Sequence, residues 1–165
     1  LAGPFTLFNR AGISTRKGVE VAARFLVGGG LSLGGAYTFL NAKEDTGLEE
    51  IRRPRNSVRI DANYVFHQGR GNINIAAIYN GDMKDLAVDA GFNTVRVALD
   101  QYWLVNATAS YKLLPGVEVF GRVENILDDH YQEVFGYNAT AGTTAFAGVK
   151  LTFGGPDGIG GSWAK

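Results

Sequence analysis

Full charges stand inside stretches that otherwise alternate strictly between small or apolar and polar residues. The end of the chain shows this most clearly. In Val117–Asn125, Val117, Val119, Gly121 and Val123 share one parity, and Glu118, Phe120, Arg122 and Glu124 the other. After a loop over Ile126–Gly142, Thr143–Phe153 sends Ala145, Ala147, Val149, Leu151 and Phe153 one way and Thr144, Phe146, Gly148, Lys150 and Thr152 the other. Period two of this kind predicts β-strands that meet apolar surroundings on one face only. Glu118, Arg122, Glu124 and Lys150 require the second face to be wet or paired. A membrane barrel with a polar lumen meets both conditions, and a soluble sandwich fits less well.

The same pattern recurs along the chain. Arg16–Leu26, Leu31–Ala42, Pro54–Phe66, Gly71–Asn80 and Val95–Leu113 all read as strands, preceded by a short β-like stub at Phe5–Asn9. The connections alternate: short at Gly28–Gly30, long at Lys43–Arg53, short at His67–Arg70, long at Gly81–Phe92, short at Leu114–Gly116, long at Ile126–Gly142. In an antiparallel meander every second connection lies at the same end. All tight turns therefore gather at one end and all long loops at the other, as in outer-membrane barrels with short periplasmic turns and long extracellular loops. The aromatics agree. Phe25, Tyr64, Phe66, Tyr111 and Phe153 fall near the tight-turn end, and Tyr37, Phe39, Tyr79 and Trp103 toward the loop end. Two belts bracketing Val, Ile, Leu, Ala and Gly match the two headgroup levels of a bilayer.

Composition excludes several classes. Sixteen basic and sixteen acidic residues leave no net charge to favour nucleic acid, and the absence of cysteine removes disulfides and thiolate metal sites. No apolar run reaches the ~20 residues of a spanning helix, whereas barrel strands need only ~9–11. Seven antiparallel strands do not close neatly, because the first and last would run parallel, and an open edge in lipid leaves backbone groups unpaired. Counting the stub gives eight, the smallest closed barrel. The chain also begins at Leu1 without a basic-then-apolar leader. The expectation is a C-terminal section of a larger barrel. A complete eight-stranded barrel with a structural or adhesive role, and a soluble β-barrel binding a small ligand, remain alternatives.

Several motifs resemble a known family. Gly18-Val19-Glu20 after Thr15-Arg16-Lys17, Tyr37-Thr38-Phe39-Leu40-Asn41-Ala42, Arg53-Pro54-Arg55, and Val123-Glu124-Asn125-Ile126-Leu127-Asp128-Asp129-His130-Tyr131 followed by Phe135-Gly136-Tyr137 occur in this order. Together they resemble the C-terminal barrel of TonB-dependent outer-membrane receptors, over essentially all of Phe5–Phe153. The Asp128–Tyr137 run is most similar to the cobalamin-transporter branch, with ferric-siderophore receptors next. Gly148, Leu151 and Phe153 are similar to the terminal-strand signal read by the barrel-assembly machinery. The resemblance implies an all-β fold, residues 1–153 being the last seven or eight strands of a barrel of about twenty-two. It further implies an N-terminal plug outside this stretch, the energy-transducing partner TonB acting through that plug, and uptake of a large scarce nutrient. No cofactor, metal or covalent chemistry is implied. Two departures stand out: Gly154–Lys165, a Gly-rich tail expected to be flexible, and Asn138–Thr143 in place of a more usual Thr/Pro-Gly-Arg loop ending.

Candidate sites fall into three groups. Glu20, Arg24, Arg59, Asp61, Glu118, Arg122 and Glu124 are expected to line the lumen and meet the plug. Asp82, Asp85 and Asp89 in one long loop, with Tyr131, Phe135, Tyr137 and Asn138 in another, are candidate ligand contacts at the outer mouth, alongside the plainer reading of loops packed on their neighbours. Arg52, Arg53 and Arg55 beside Glu44, Asp45, Glu49 and Glu50 read either as an anion contact, for lipopolysaccharide phosphate or an anionic siderophore, or as a self-neutralising loop base, which is preferred. Asp128, Asp129 and His130 invite a rim-protease reading. That chemistry needs a second Asp–His pair, and His67 falls at the opposite end. The Asp82–Asp89 loop lacks the D-x-D-x-D-G spacing of a calcium loop.

Overall fold

The computed structural model describes residues 12–137, 142–154 and 158–159. The Phe5–Asn9 stub, Asn138 and most of Gly154–Lys165 lie outside the described residues. Among the described residues nine strands form: β1 (Thr15–Gly28), β2 (Leu31–Lys43), β3 (Asn56–Phe66), β4 (Gly71–Asn80), β5 (Met83–Val88), β6 (Thr94–Leu99), β7 (Tyr102–Leu114), β8 (Val117–Glu124) and β9 (Thr144–Leu151). Among the described residues, seven of them make one antiparallel sheet in the order β1-β2-β3-β4-β7-β8-β9, open at both edges, and β5 and β6 pair separately.

The register carries the alternation across the whole sheet. Val21, Tyr37, Val58, Tyr79 and Trp103 lie in one cross-strand row, and Phe25, Leu33, Ala62, Ile75, Ala107, Val123 and Ala145 in another. One face is therefore apolar from edge to edge, and it is not covered: Val21, Phe25, Ile60, Ile75 and Val149 remain about half exposed or more. Among the described residues the buried apolar side chains are Ala42, Met83, Leu99 and Tyr102. All four sit where strands end against the long loops, so the interior core lies under the loops and not within the sheet.

Both aromatic belts form. Tyr64, Phe66 and Tyr111 stack at the tight-turn end, with ring centroids 5.6 and 6.2 Å apart, and Tyr79 meets Trp103 at 5.0 Å near the loop end. From Gly71 to Tyr79 the strand runs ~27 Å, or ~20 Å of height at a tilt of ~40°, close to the apolar band of an outer-membrane barrel.

The opposite face is polar. Glu20, Arg24, Arg59, Asp61, Glu118, Arg122 and Glu124 all lie on it by register. Arg24 reaches to 4.0 Å from Asp61 across the intervening β2. Gly34 makes this possible, because a Cβ there would stand 2.6 Å from the Asp61 carboxylate. Arg122 lies 3.3 Å from Glu124 and over the Phe146 ring at 4.7 Å. Glu118 is flanked across the strands by Lys112 and Lys150.

The sorted connections are present, with three corrections, the first being that the expected loop Gly81–Phe92 holds the strand β5. The expected strand Val95–Leu113 is two strands. β6 turns back on β5, and Asp100–Gln101 separates it from β7. Asp89 closes that hairpin by accepting from the N–H groups of Gly91 and Asn93, with Phe92 at φ 62°. The alternation passes through Asp100–Gln101 in phase, so periodicity alone does not mark the break. The last strand ends at Leu151 and not at Phe153; Phe153 instead bridges Ile159 in parallel, and the Ile159 N–H donates to the Thr152 carbonyl.

Candidate ligand site at the loop end

The β5–β6 hairpin stands in the connection between β4 and β7, and the other two long loops bind to it. Asp85, in β5, has no accessible surface. Its Oδ1 accepts from Arg52 Nε at 2.9 Å and from its neighbour's Leu86 N–H at 2.8 Å; its Oδ2 accepts from the Phe135 N–H at 2.7 Å. One carboxylate thus joins the β2–β3 loop, the hairpin and the β8–β9 loop. Burial alone would raise this carboxyl, but the Phe135 and Leu86 N–H groups and the Arg52 guanidinium outweigh it and hold the group below the ordinary carboxylate range. The Arg52 N–H also donates to the Lys84 carbonyl at 2.7 Å. Arg96, from β6, donates to the Glu49 carbonyl at 2.6 Å and pairs with Glu44 at 2.8 Å.

The β8–β9 loop is shaped from within by Asn125, a buried residue at φ 51°. Its side chain accepts from the Asp129 N–H and donates to the Asp129 carbonyl, both at 3.0 Å. Asp129 accepts from the Trp103 N–H, Asp128 from the Thr143 N–H, and His130 Nδ1 lies 2.9 Å from the Asp128 carbonyl. The three residues that suggested rim-protease chemistry bond to backbone groups of the loop and of the adjacent β7.

Tyr102 fastens the loop to the wall. It is buried, accepts from Asn80 Nδ2 at 2.7 Å, donates to Glu133 at 2.9 Å, and stacks on Tyr131 with centroids 4.0 Å apart. Partial burial pushes the Tyr131 phenol up. Beside this stack a cleft of about 390 Å³ opens between the end of β6 and the last loop, lined by Asp100, Gln101, His130, Tyr131, Gln132 and Phe135 among others. Two aromatic edges with amide, imidazole and carboxylate groups suit a ligand that is part apolar and part polar.

The expected contacts separate in this arrangement. Tyr131 and Phe135 border the cleft. Asp85 is fully buried and does not line it, so direct contact falls to other residues. Asp89 caps the hairpin turn, and the Asn93 and Gly91 donors lower its carboxyl. Asp82 is exposed before β5, Tyr137 is exposed, and Asn138 is outside the described residues. Asp100 and Gln101 were hidden in sequence because they read as strand interior; two adjacent polar residues between Leu99 and Tyr102 were the available signal. Among the described residues no group of three or more His, Asp or Glu side chains converges to hold a metal.

Residues 1–126 match the family model described as TonB dependent receptor-like, beta-barrel. The chain belongs to this family. It is 35% identical over 124 residues to the vitamin B12 transporter BtuB of Photobacterium profundum, covering 74% of this chain and 19% of that protein. It is 30% identical over 134 residues to BtuB of Vibrio cholerae serotype O1, covering 79% and 21%. The ferripyoverdine receptor of the outer membrane of Pseudomonas aeruginosa, bound to ferripyoverdine, shares the fold with a TM-score of 0.68 and 18% identity, over 84% of this chain and 19% of that one. The ferric-catecholate import receptor Fiu from E. coli K12 shares it with a TM-score of 0.67 and 16% identity, over 84% and 21%. The chain spans about a fifth of the length of these proteins.

As part of a TonB-dependent receptor barrel, the sheet lies in the bacterial outer membrane. Barrels of this kind turn an apolar face to lipid and a polar face to the lumen, and the cleft lies at the loop end.

Proposed function

We propose that this chain is a wall section of an outer-membrane receptor that captures cobalamin at its outer loops and passes it inward with energy from TonB. The observation that carries the reading is the loop end itself. Three long loops are tied around Asp85, and two of them frame the Tyr131–Phe135 cleft, on a barrel wall whose curated relatives are vitamin B12 transporters. Tyr131, Phe135, Gln101 and Gln132 supply the direct contacts, Asp82 and Tyr137 belong to the same rim, and Asp85 and Asp89 hold the loops in shape. The charged lumen row from Glu20 to Glu124 meets the plug through ion pairs and water. Gly148, Leu151 and Phe153 serve the barrel-assembly machinery.

The test is uptake of radiolabelled cyanocobalamin by cells that depend on the full-length gene carrying this segment, with and without functional TonB. TonB-dependent uptake that falls on Tyr131→Ala supports the reading. Transport of a ferric siderophore without cobalamin would move the substrate to the neighbouring class. Uptake of neither would overturn the receptor role.

A further inference from the structure

The ion pairs at the loop end leave Lys17 and Arg55 without acidic partners among the described residues. Arg16 pairs with Glu50, Arg52 with Asp85 and Arg96 with Glu44. These pairings engage Glu44 and Glu50, two of the four acids that lie beside Arg52, Arg53 and Arg55 in the sequence. Among the described residues neither Arg55 nor Lys17 has an ion pair within 4.0 Å, and Arg53 acts on Glu50 only at longer range.

Their placement follows from the register. On β2, Tyr37 and Phe39 belong to the outer aromatic belt, and the next positions outward on the same lipid-facing side are Asn41 and Lys43. Lys17 stands across from Asn41 on β1. The Arg55 guanidinium lies 5.6 Å over the Phe39 ring, so a charge that sequence parity assigns to the other side is held on the lipid side. Lys17, Lys43, Arg53 and Arg55 are all exposed. Among the acids nearby, Glu49 joins Lys43 by a backbone bridge, and Glu50 is engaged by Arg16. The result is a basic strip just outside an aromatic belt, at headgroup level, beside apolar wall residues such as Val19 and Val21 along which acyl chains can lie.

We propose that Lys17 and Arg55, with Phe39 beneath them and Lys43 and Arg53 flanking, bind a lipid A phosphate of lipopolysaccharide in the outer leaflet. A guanidinium presents paired donors to phosphate oxygens, and an ammonium across the intervening β2 adds a second charge-assisted contact. The proposal is independent of the transported substrate.

The experiment measures lipid retained by the full-length receptor, extracted from outer membranes, by native mass spectrometry. The probes are bisphosphorylated lipopolysaccharide, its dephosphorylated form and phosphatidylglycerol. The unsubstituted receptor should hold the bisphosphorylated form about tenfold more tightly than the dephosphorylated one. A Lys17→Gln/Arg55→Gln receptor should lose that preference, and Lys112→Gln, on the lumen face, should keep it. Equal retention of the two lipopolysaccharide forms by the unsubstituted receptor would overturn the proposal, and this comparison needs no variant to assemble. So would an unchanged preference in the double variant. Phosphatidylglycerol displacing lipopolysaccharide at equal concentration would overturn it in favour of an unselective anionic-lipid surface.

Discussion

Arg52 Nε meets Asp85 Oδ1 at 2.9 Å, and Asp85 is the fully buried partner while Arg52 stays half exposed. The asymmetry makes the carboxylate, and not the guanidinium, the junction of the loop end. Removing it leaves the Leu86 and Phe135 N–H groups without an acceptor, at about 1–3 kcal/mol each where water cannot reach them. Asp85→Ala in the full-length receptor is therefore expected to loosen all three loops while the strands stay protected. Hydrogen exchange read peptide by peptide checks this: faster exchange confined to the hairpin would show that Asp85 does not join the loops.

The same carboxylate sets a pH dependence. Its folded pKa is depressed, so its contribution is full above the unfolded value of ~3.9 and is lost as pH falls through the lower folded value. Loop protection should be equal at pH 7 and pH 5 and fall only below about pH 4. Protection that declined between pH 7 and pH 5 would assign the loop tie to a different group.

Gly148 separates packing from signal reading. A Cβ there would stand 2.6 Å from the Phe120 ring, which lies across the glycine on the lumen face. Gly148→Val should cost about 1–3 kcal/mol through that clash. Adding Phe120→Ala should restore most of the loss in thermal unfolding of the assembled receptor. Should Phe120→Ala leave the defect untouched, the glycine acts through recognition during assembly and not through its neighbour.

Tyr131 tests the cleft. Its stack on Tyr102 contributes about 0.5–1.5 kcal/mol, and its edge faces the ligand space. Tyr131→Ala should weaken ligand binding about tenfold or more, and Tyr131→Phe, which keeps the ring, should stay near the parent value. Equilibrium binding of cyanocobalamin to purified receptor measures both. A Phe variant as weak as the Ala variant would make the phenol, and not the stack, the contact.

Period two, the in-strand charges and the sorted connections are local properties of the chain, and they determined the seven-stranded sheet, its two faces and its aromatic belts. Each strand's parity settles which side its residues take, whatever its neighbours are. The hairpin of β5 and β6 was not legible, because Val95, Val97, Leu99, Trp103 and Val105 keep one parity through the break. Only pairing with Met83–Val88 turns that stretch back. Nor could sequence choose partners among the loop charges. Neighbouring acids suggested that Arg52, Arg53 and Arg55 neutralise together, but ion pairs depend on distances between loops far apart in the chain. Tertiary structure gave Arg52 to Asp85, Arg96 to Glu44 and Arg16 to Glu50, and left Arg55 on an aromatic ring facing lipid.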